Sequence, residues 1–375
     1  MKFVCEGLDL SEAIAKVSKA VASKAVEENQ LMGCIKLDAY DNVLTLFATD
    51  GELAILKRIK AEVIEEGSVA IAGMFMVEFV RRLSNEQIEF TLSPNYMMRI
   101  RYTDSEVFAQ CLDSMEYPLF KTLLNPQSVS IVQKELKELI DKSVFCVAAE
   151  TNGRAVLRGC LVEVENYKMT FVALDGYRLM KICKPVESKM DKISAIIPGR
   201  SLLEVSKIIT DEKELVSLHF ENDYVMFDFG STKVLTRLLA GEFIKYDHII
   251  PSEFCTEITI NREMMLKSLD RANILSRTDV KTSVVTLNIH ENLMTVTGNG
   301  KMGNITENIN ITMKGKDMKI AFNIKYLLDF LSNVDEEFLK IKFASSIAPC
   351  IITPVTNADD SAYFYLVLPI RINFE

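Results

Sequence analysis

Apolar and polar positions along the chain follow two alternating periods. Near the N-terminus Leu10, Ala13, Ile14, Val17 and Val21 recur three and four residues apart, which gathers them on one face of a helix, with Asp9 and Ser11 as candidate caps. Val43-Leu44-Thr45-Leu46-Phe47 then takes up the two-residue period of a strand, and Asp50-Gly51 breaks it as a turn. Helical spacing returns at Met76, Phe79, Val80 and Leu83, and strand alternation at Ile88-Glu89-Phe90-Thr91-Leu92. The same order of helix, strands, helix and strands recurs twice more. Its first helix carries Leu136, Leu139, Ile140 and Val144 in the second round, and Leu266, Leu269 and Asn273, capped by Asn261, in the third. Its second helix carries Leu202, Val205 and Ile209, then Leu327, Phe330 and Leu331.

The recurrence has a fixed length. Leu44-Thr45-Leu46-Phe47-Ala48-Thr49-Asp50-Gly51 is answered 125 residues later by Met169-Thr170-Phe171-Val172-Ala173-Leu174-Asp175-Gly176, and after a further 125 by Met294-Thr295-Val296-Thr297-Gly298. A second marker runs Met76-Val77-Glu78-Phe79, Leu202-Leu203-Glu204-Val205 and Leu327-Leu328-Asp329-Phe330, at offsets of 126 and 125. A period this long exceeds that of any solenoid, so each copy is expected to be a domain with its own core. The boundaries fall near Asn125-Pro126 and Pro251-Ser252-Glu253, giving domains 1–125, 126–252 and 253–375 with no long linker between them. Two helices among about eight strands per copy predict an α+β fold of antiparallel sheets with the helices on one side.

Composition narrows the function. The chain has 375 residues, 49% hydrophobic and 25% charged, as in folded proteins, and a net charge of -9 excludes an overall basic nucleic-acid coat. No apolar run reaches the ~18 residues of a membrane span, and Glu6 and Asp9 interrupt any secretory signal pattern, so a cytoplasmic protein is expected. The eight Cys include no C-x-x-C pair and read as reduced buried thiols; the three His are too scattered for most metal or acid–base work.

Charge is nevertheless sorted. The helical spans 10–24, 73–83, 133–145, 199–209, 262–277 and 323–333 hold 15 Lys and Arg against nine acids, leaving 28 basic against 43 acidic residues elsewhere. Lys16 and Lys19 lie opposite Ile14 and Val17, and Lys267 and Arg271 share a face. With Lys24, Arg81, Arg82, Lys134, Lys137, Arg200 and Lys207 they make a candidate basic wall on an acidic body. Such a wall attracts phosphate by counterion release without reading sequence.

Catalytic motifs are scarce. Gly298-Asn299-Gly300-Lys301-Met302-Gly303 fits G-x-G-x-x-G, the basis of an alternative reading as a nucleotide-binding enzyme, but the following Asn304-Ile305-Thr306-Glu307 alternates like a strand where a phosphate site needs a helix. A hairpin is the expectation there. Asp50 and Asp175 share a repeat position before Gly, which suits turns better than paired-acid chemistry.

Five spaced segments carry a family resemblance. Phe171-Val172-Ala173-Leu174-Asp175-Gly176-Tyr177-Arg178-Leu179 resembles the A-T-D-G-[HY]-R-L signature of the bacterial sliding clamps, the beta subunits of DNA polymerase III. Ala195-Ile196-Ile197-Pro198-Gly199-Arg200, Leu239-Ala240-Gly241-Glu242-Phe243-Ile244-Lys245-Tyr246, Arg271-Ala272-Asn273-Ile274-Leu275 and Leu366-Val367-Leu368-Pro369-Ile370-Arg371 resemble further motifs of that family, in order along the chain. The resemblance implies a head-to-tail homodimer forming a ring of six like domains, with helices lining a hole through which duplex DNA passes. It implies processivity for the replicative DNA polymerase, no catalytic site and no cofactor. The implied partners are the DNA polymerase III catalytic subunit, the clamp loader and other proteins with clamp-binding peptides.

Carried over by matching position, the partner-peptide cleft comprises Leu157, Leu174, Gly176, Tyr177, Arg178, Leu179, Ile244, Ile249, Ile347, Leu366, Leu368, Ile370 and Arg371, an apolar cleft with an Arg at its rim. Lys24 and Arg200 match positions near DNA. The dimer interface is implied at Val107, Phe108, Ala109, Ile274, Leu275 and Glu307. The chain departs from the family at Ile244, where the family has Pro; at Met74, where it has a basic residue; and around Glu307, where Asn304, Asn308 and Asn310 thin an acidic cluster. Phe374, beyond the last motif, is a further candidate near the cleft.

Overall fold

The computed structural model describes residues 1–22, 30–83, 86–149, 154–187, 192–210, 213–276, 284–300, 303–355 and 363–372. Six α-helices occur among them: α1 Gly7–Val17, α2 Gly73–Val80, α3 Gln133–Asp141, α4 Gly199–Ile208, α5 Arg262–Ser276 and α6 Ile324–Ser332. Each copy of the repeat contributes two helices. Among the described residues the copies contribute nine, eight and nine strands, all paired antiparallel.

Local chemistry accounts for most of these elements. The helix α1 buries Leu10, Ala13, Ile14 and Val17, as the spacing predicts. It starts earlier than Asp9 and Ser11 suggest, at Gly7, because the strand Lys2–Glu6 runs straight into it and the Gly7 N–H is taken by the Glu86 carbonyl. Asp9 and Ser11 are therefore inside the helix, and Glu6 at its start makes no side-chain cap. Asn261 does cap α5, its Oδ1 accepting the Met264 N–H at 3.0 Å. The buried stripe of α5 is Met265, Leu269 and Ala272; Leu266 is half-buried, one position off the expected face. In α6, Ile324, Leu327, Phe330 and Leu331 are buried and Asn323 caps the start through Lys325.

The Asp-Gly segments form the same turn twice. Asp50 Oδ1 accepts the N–H groups of Glu52 and Leu53 at 3.0 and 2.8 Å, and Asp175 Oδ1 those of Tyr177 and Arg178 at 2.9 and 3.1 Å. Gly51 and Gly176 take φ of 92° and 96°, where a Cβ is disfavoured. The G-x-G-x-x-G segment is a hairpin: Leu293–Gly300 pairs with Gly303–Asn310 and Gly300 faces Gly303. A strand therefore follows the glycines, and they open no helix for a phosphate.

The chain divides into two compact units, one of residues 1–133 and 207–238, the other of 134–206 and 239–375. The second repeat is thus shared between them, because its sheets continue into its neighbours' sheets. In the first unit Leu53–Lys60 of copy one pairs with Thr232–Arg237 of copy two, setting Ala54 opposite Leu235. In the second unit Arg178–Pro185 of copy two pairs with Tyr363–Val367 of copy three, setting Leu179 opposite Leu366. The Arg237 N–H bonds the Glu52 carbonyl and the Leu368 N–H the Tyr177 carbonyl, each at 2.9 Å, so both seams end in the same way.

The seam of the second unit also holds a buried ionic cluster. Lys142 lies between Glu138 at 3.0 Å and Glu336 at 3.3 Å, Lys184 reaches Glu138 at 2.5 Å, and the Tyr363 hydroxyl donates to Glu336 at 2.5 Å. Burial would raise both acids, yet the bonds from Tyr363 and Lys142 on Glu336, and from Lys184 and Lys142 on Glu138, hold both below the ordinary carboxyl value. A depressed carboxyl adds stability above its unfolded value and loses it as the pH falls through the folded one. Glu336→Gln is therefore expected to lower the melting temperature at pH 7 relative to wild type. That difference should begin to close as the pH drops below the ordinary 4.5 and vanish below the depressed folded value, where Glu336 is neutral folded and unfolded alike; a difference independent of pH in calorimetry would contradict the ionic origin.

Candidate functional site

Two of the expected constellations can be built from the described residues. The first is basic and belongs to the first unit. Helix α1 and the turn after it project Lys16 and Lys19, and the end of α4 projects Lys207. These three line one groove of about 610 Å³ with Glu12, Ala15, Ile208 and Thr210. Lys16 and Lys19 form no ion pair among the described residues. Burial first, and the charge of Lys16 second, push Lys57 below the ordinary lysine value, against the opposing pull of Glu12 and Asp9.

The remaining expected cations are more committed. Arg81 and Arg82 pair with Glu78 at 3.3 and 2.6 Å, Lys137 with Asp141 at 3.3 Å, and Lys267 with Glu263 at 2.6 Å. Lys137 also donates to Ser206 Oγ at 3.0 Å, tying α3 to α4. Arg271 binds Glu307 through two nitrogens, joining an expected DNA contact to an expected interface acid. The bond to Arg271 holds Glu307 below the ordinary carboxyl value. Most of these pairs are solvated, and solvated pairs hold weakly, so another anion can exchange with the carboxylate at little cost. Lys134 and Arg200 are exposed on α3 and α4. Lys24 and Phe374 lie outside the described residues.

The second constellation is apolar and belongs to the second unit. Leu157, Leu174, Leu179 and Leu366 are buried in one cluster, against which Ile244 packs. The sequence reading missed Val172, Phe243, Tyr246 and Ile351, which complete that floor. Phe243 and Tyr246 lay in view, in the same segment as Ile244. The other expected cleft residues Gly176, Tyr177, Ile249, Ile347 and Leu368 are exposed, Tyr177 by 58% and Ile347 by 61%. Leu368 is fixed to Tyr177 by its N–H, and the Ile370 N–H bonds the Ala321 carbonyl at 2.7 Å. Arg371 is exposed, and no bond joins it to this group.

Arg178 departs from its expected place at the rim. It is only 7% exposed, because its guanidinium is bound on three sides: Nε by Asp175 at 3.0 Å, Nη1 by Asp329 at 2.7 Å and Nη2 by the Phe145 carbonyl at 2.9 Å. The ring of Tyr326 lies 4.7 Å from it.

The residues expected at a dimer interface fall on two surfaces. Phe108 is 57% exposed on the strand Ser105–Leu112 between half-buried Val107 and buried Ala109. Ile274 is 65% exposed on α5 beside half-buried Leu275, and Glu307 lies on the sheet-edge strand Gly303–Asn310. Among the described residues no disulfide joins the eight Cys, and six of them are buried. No helix among the described residues is long and apolar enough to cross a membrane.

Comparison with known proteins gives one consistent result. Sequence models of the DNA polymerase III beta subunit match in succession: the N-terminal domain over residues 1–121, the central domain over 130–245 and the C-terminal domain over 247–371. The beta sliding clamp of Halalkalibacterium halodurans is 30% identical over 99% of this chain and 100% of its own. Among solved structures, the DNA polymerase sliding clamp of Bacillus subtilis superposes with a TM-score of 0.93 at 27% identity, covering 100% of both chains. The DNA polymerase III beta chain of Streptococcus pneumoniae superposes at 0.92 and 25% identity, covering 99% of this chain and 100% of its own.

The turn at the cleft's edge can be tested by itself. A Cβ at Gly176 would meet no atom within 4 Å, so Gly176→Ala adds backbone strain and no clash. The expected loss is about 1–2 kcal/mol, the cost of a left-handed residue with a side chain. Equilibrium urea unfolding of the variant against wild type measures it, and an unchanged midpoint would show that the turn relaxes.

Proposed function

The chain belongs to the DNA polymerase III beta subunit family, the bacterial sliding clamps, and on that premise we propose that two copies close head to tail into a ring around duplex DNA. Its function is that of a processivity clamp, an accessory subunit of the replicative polymerase with no chemistry of its own. The observation that carries this reading is the threefold repetition of one helix-and-sheet unit, matched from end to end by the successive domains of a single family. The repeat units are 1–125, 126–252 and 253–375, and the protein works in the cytoplasm.

In this reading the six helices line the hole. Lys16, Lys19 and Lys207 offer phosphate an open basic groove, and Lys24, Lys134 and Arg200 are assigned to DNA as well. Arg81, Arg82, Lys137, Lys267 and Arg271 exchange their carboxylate partners for phosphate as the duplex slides. Retention comes from enclosure, so weak contacts suffice, and an acidic exterior keeps duplex from binding elsewhere. Phe108 with Val107 and Ala109 on one protomer meets Ile274, Leu275 and Glu307 on its partner. The cleft with the Leu157, Leu174, Leu179 and Leu366 floor takes short peptides of the polymerase catalytic subunit, the clamp loader and other replication or repair proteins through apolar anchors. Ile244, Ile249, Ile347, Ile370 and Arg371 complete it.

Loaded onto nicked circular duplex, the protein is expected to elute with the DNA in gel filtration and to be lost when the circle is cut. Equal retention on cut and closed DNA would exclude a topological hold. Lys16→Ala with Lys19→Ala should flatten the salt dependence of binding to linear duplex, by roughly 0.9 in the log–log slope for each phosphate left without its lysine. At the cleft, Leu368→Glu places a charge at a partly exposed lip without disturbing the core. Titration with a labelled polymerase peptide should show binding abolished while sedimentation shows the dimer intact; undiminished affinity would move the peptide site elsewhere.

A further inference from the structure

The apolar cleft has a support that lies outside its lining. The segment Asp175–Arg178 forms one lip, closed on itself by the bonds from Asp175 Oδ1 to the N–H groups of Tyr177 and Arg178. It reaches the third repeat through two contacts on α6. The Arg178 guanidinium is held by Asp329 Oδ2 at 2.7 Å, and the Tyr177 ring stacks on that of Tyr326 with centroids 6.0 Å apart. Tyr326 also covers the guanidinium, 4.7 Å from its central carbon. The opposite lip depends on the same turn, since the Leu368 N–H donates to the Tyr177 carbonyl at 2.9 Å. Directly beneath, Leu179 faces Leu366 across the seam. One residue of copy two thus has a rim residue before it, a floor residue after it, and a side chain anchored in copy three.

We propose that Asp329 and Tyr326 are positioning residues for the partner-peptide cleft, acting through Arg178 and Tyr177. The inference rests on the peptide reading of that cleft. Arg178 gives three of its five N–H donors to Asp175, Asp329 and the Phe145 carbonyl and is 7% exposed, so it is largely withdrawn from any acidic group on a peptide. Affinity comes from the apolar floor and from the placement of Tyr177 and Leu368 at its edge. Neutralising Asp329 leaves a buried guanidinium with one carboxylate fewer, an arrangement that favours its movement toward water. The turn then rotates with it, carrying Tyr177 and its bond to Leu368 out of register.

A second buried ionic cluster in the same seam supplies the control. Lys142, Glu138 and Glu336 join the same two repeats without touching the turn Asp175–Arg178. The experiment is a fluorescence-anisotropy titration of the full-length protein with a labelled peptide from the cognate polymerase catalytic subunit, with melting temperature recorded for every variant. Asp329→Asn is expected to raise Kd by about tenfold, and Asp329→Glu to restore most of the affinity. Tyr326→Ala, which removes the stack and buries no new charge, should weaken binding in the same direction. Glu336→Gln should lower the melting temperature and leave Kd unchanged. Wild-type affinity in Asp329→Asn would overturn the inference. Equal weakening by Glu336→Gln would overturn it too, because the effect would then be general loosening of the seam. A wild type that does not bind the peptide would remove the cleft reading itself, a result distinct from a binding wild type with an indifferent Asp329→Asn.

Discussion

The structure depends on strand pairing across the repeat boundaries. A sheet that ends in an open edge exposes a row of unpaired N–H and carbonyl groups and invites unwanted partners. Here the strand Leu53–Lys60 of copy one is closed by Thr232–Arg237 of copy two, and Arg178–Pro185 of copy two by Tyr363–Val367 of copy three. The repeats therefore share backbone hydrogen bonds as well as side-chain contacts. This is why compact units cut through copy two and not between copies. It is also why no long linker is needed: the sheet itself fixes the register, and a one-residue slip would turn Leu179 and Leu366 away from each other.

Charge is organised on top of that frame by burial. The ions with structural work are buried and multiply bound, as Arg178 is by Asp175 and Asp329, and Lys142 by Glu138 and Glu336. Those assigned to DNA in our proposal are mostly solvated and, where paired, mostly share a carboxylate three or four residues away, Arg271 with Glu307 on a neighbouring strand being the exception. The two classes suit opposite demands. A buried pair is costly to break and holds geometry, whereas a solvated pair exchanges partners at nearly constant free energy. Movement along a polyanion needs the second kind, because tight and specific phosphate bonds would arrest it.

Much of this was legible in the sequence. The period of 125, the Asp-Gly turns, the Asn261 cap and the hairpin at Gly298–Gly303 all follow from local chemistry, and the structure has each of them. What escaped depends on contacts distant along the chain. The early start of α1 comes from a bond to Glu86, and the buried stripe of α5 is set by the sheet it covers, not by the wheel taken alone. Arg178 looked like a rim cation because a charged residue in an apolar motif is normally solvated; Asp329, 151 residues away, is what makes its burial tolerable. The repeat did mark Asp329, since an acid recurs at Glu78, Glu204 and Asp329. Glu78 faces Arg81 and Arg82 on its own helix, so the marker carried position without partner.

The two seams share a register and differ in what fills them. Where the second seam has Leu174, Tyr177 and Leu179, the first has Thr49, Glu52 and Ala54 at the corresponding positions. In the first seam aromatic rings interlock: Phe47 packs edge-on against Tyr117 at 5.5 Å and Phe120 at 5.7 Å, and the Tyr117 hydroxyl donates to the Cys34 carbonyl at 2.8 Å. Tyr117 and Phe120 come from the segment that joins copies one and two, so the chain fills this seam with itself. In the second seam the corresponding segment supplies Phe243 and Tyr246 to a largely aliphatic cluster, and Tyr177 and Leu368, bonded to each other at the end of the paired strands, are exposed. Branched and flexible aliphatic side chains adapt to an incoming apolar anchor with little loss, whereas interlocked rings bound by a hydroxyl do not. A repeated scaffold thus fills two seams of shared register differently, with interlocked rings in one and a largely aliphatic cluster in the other.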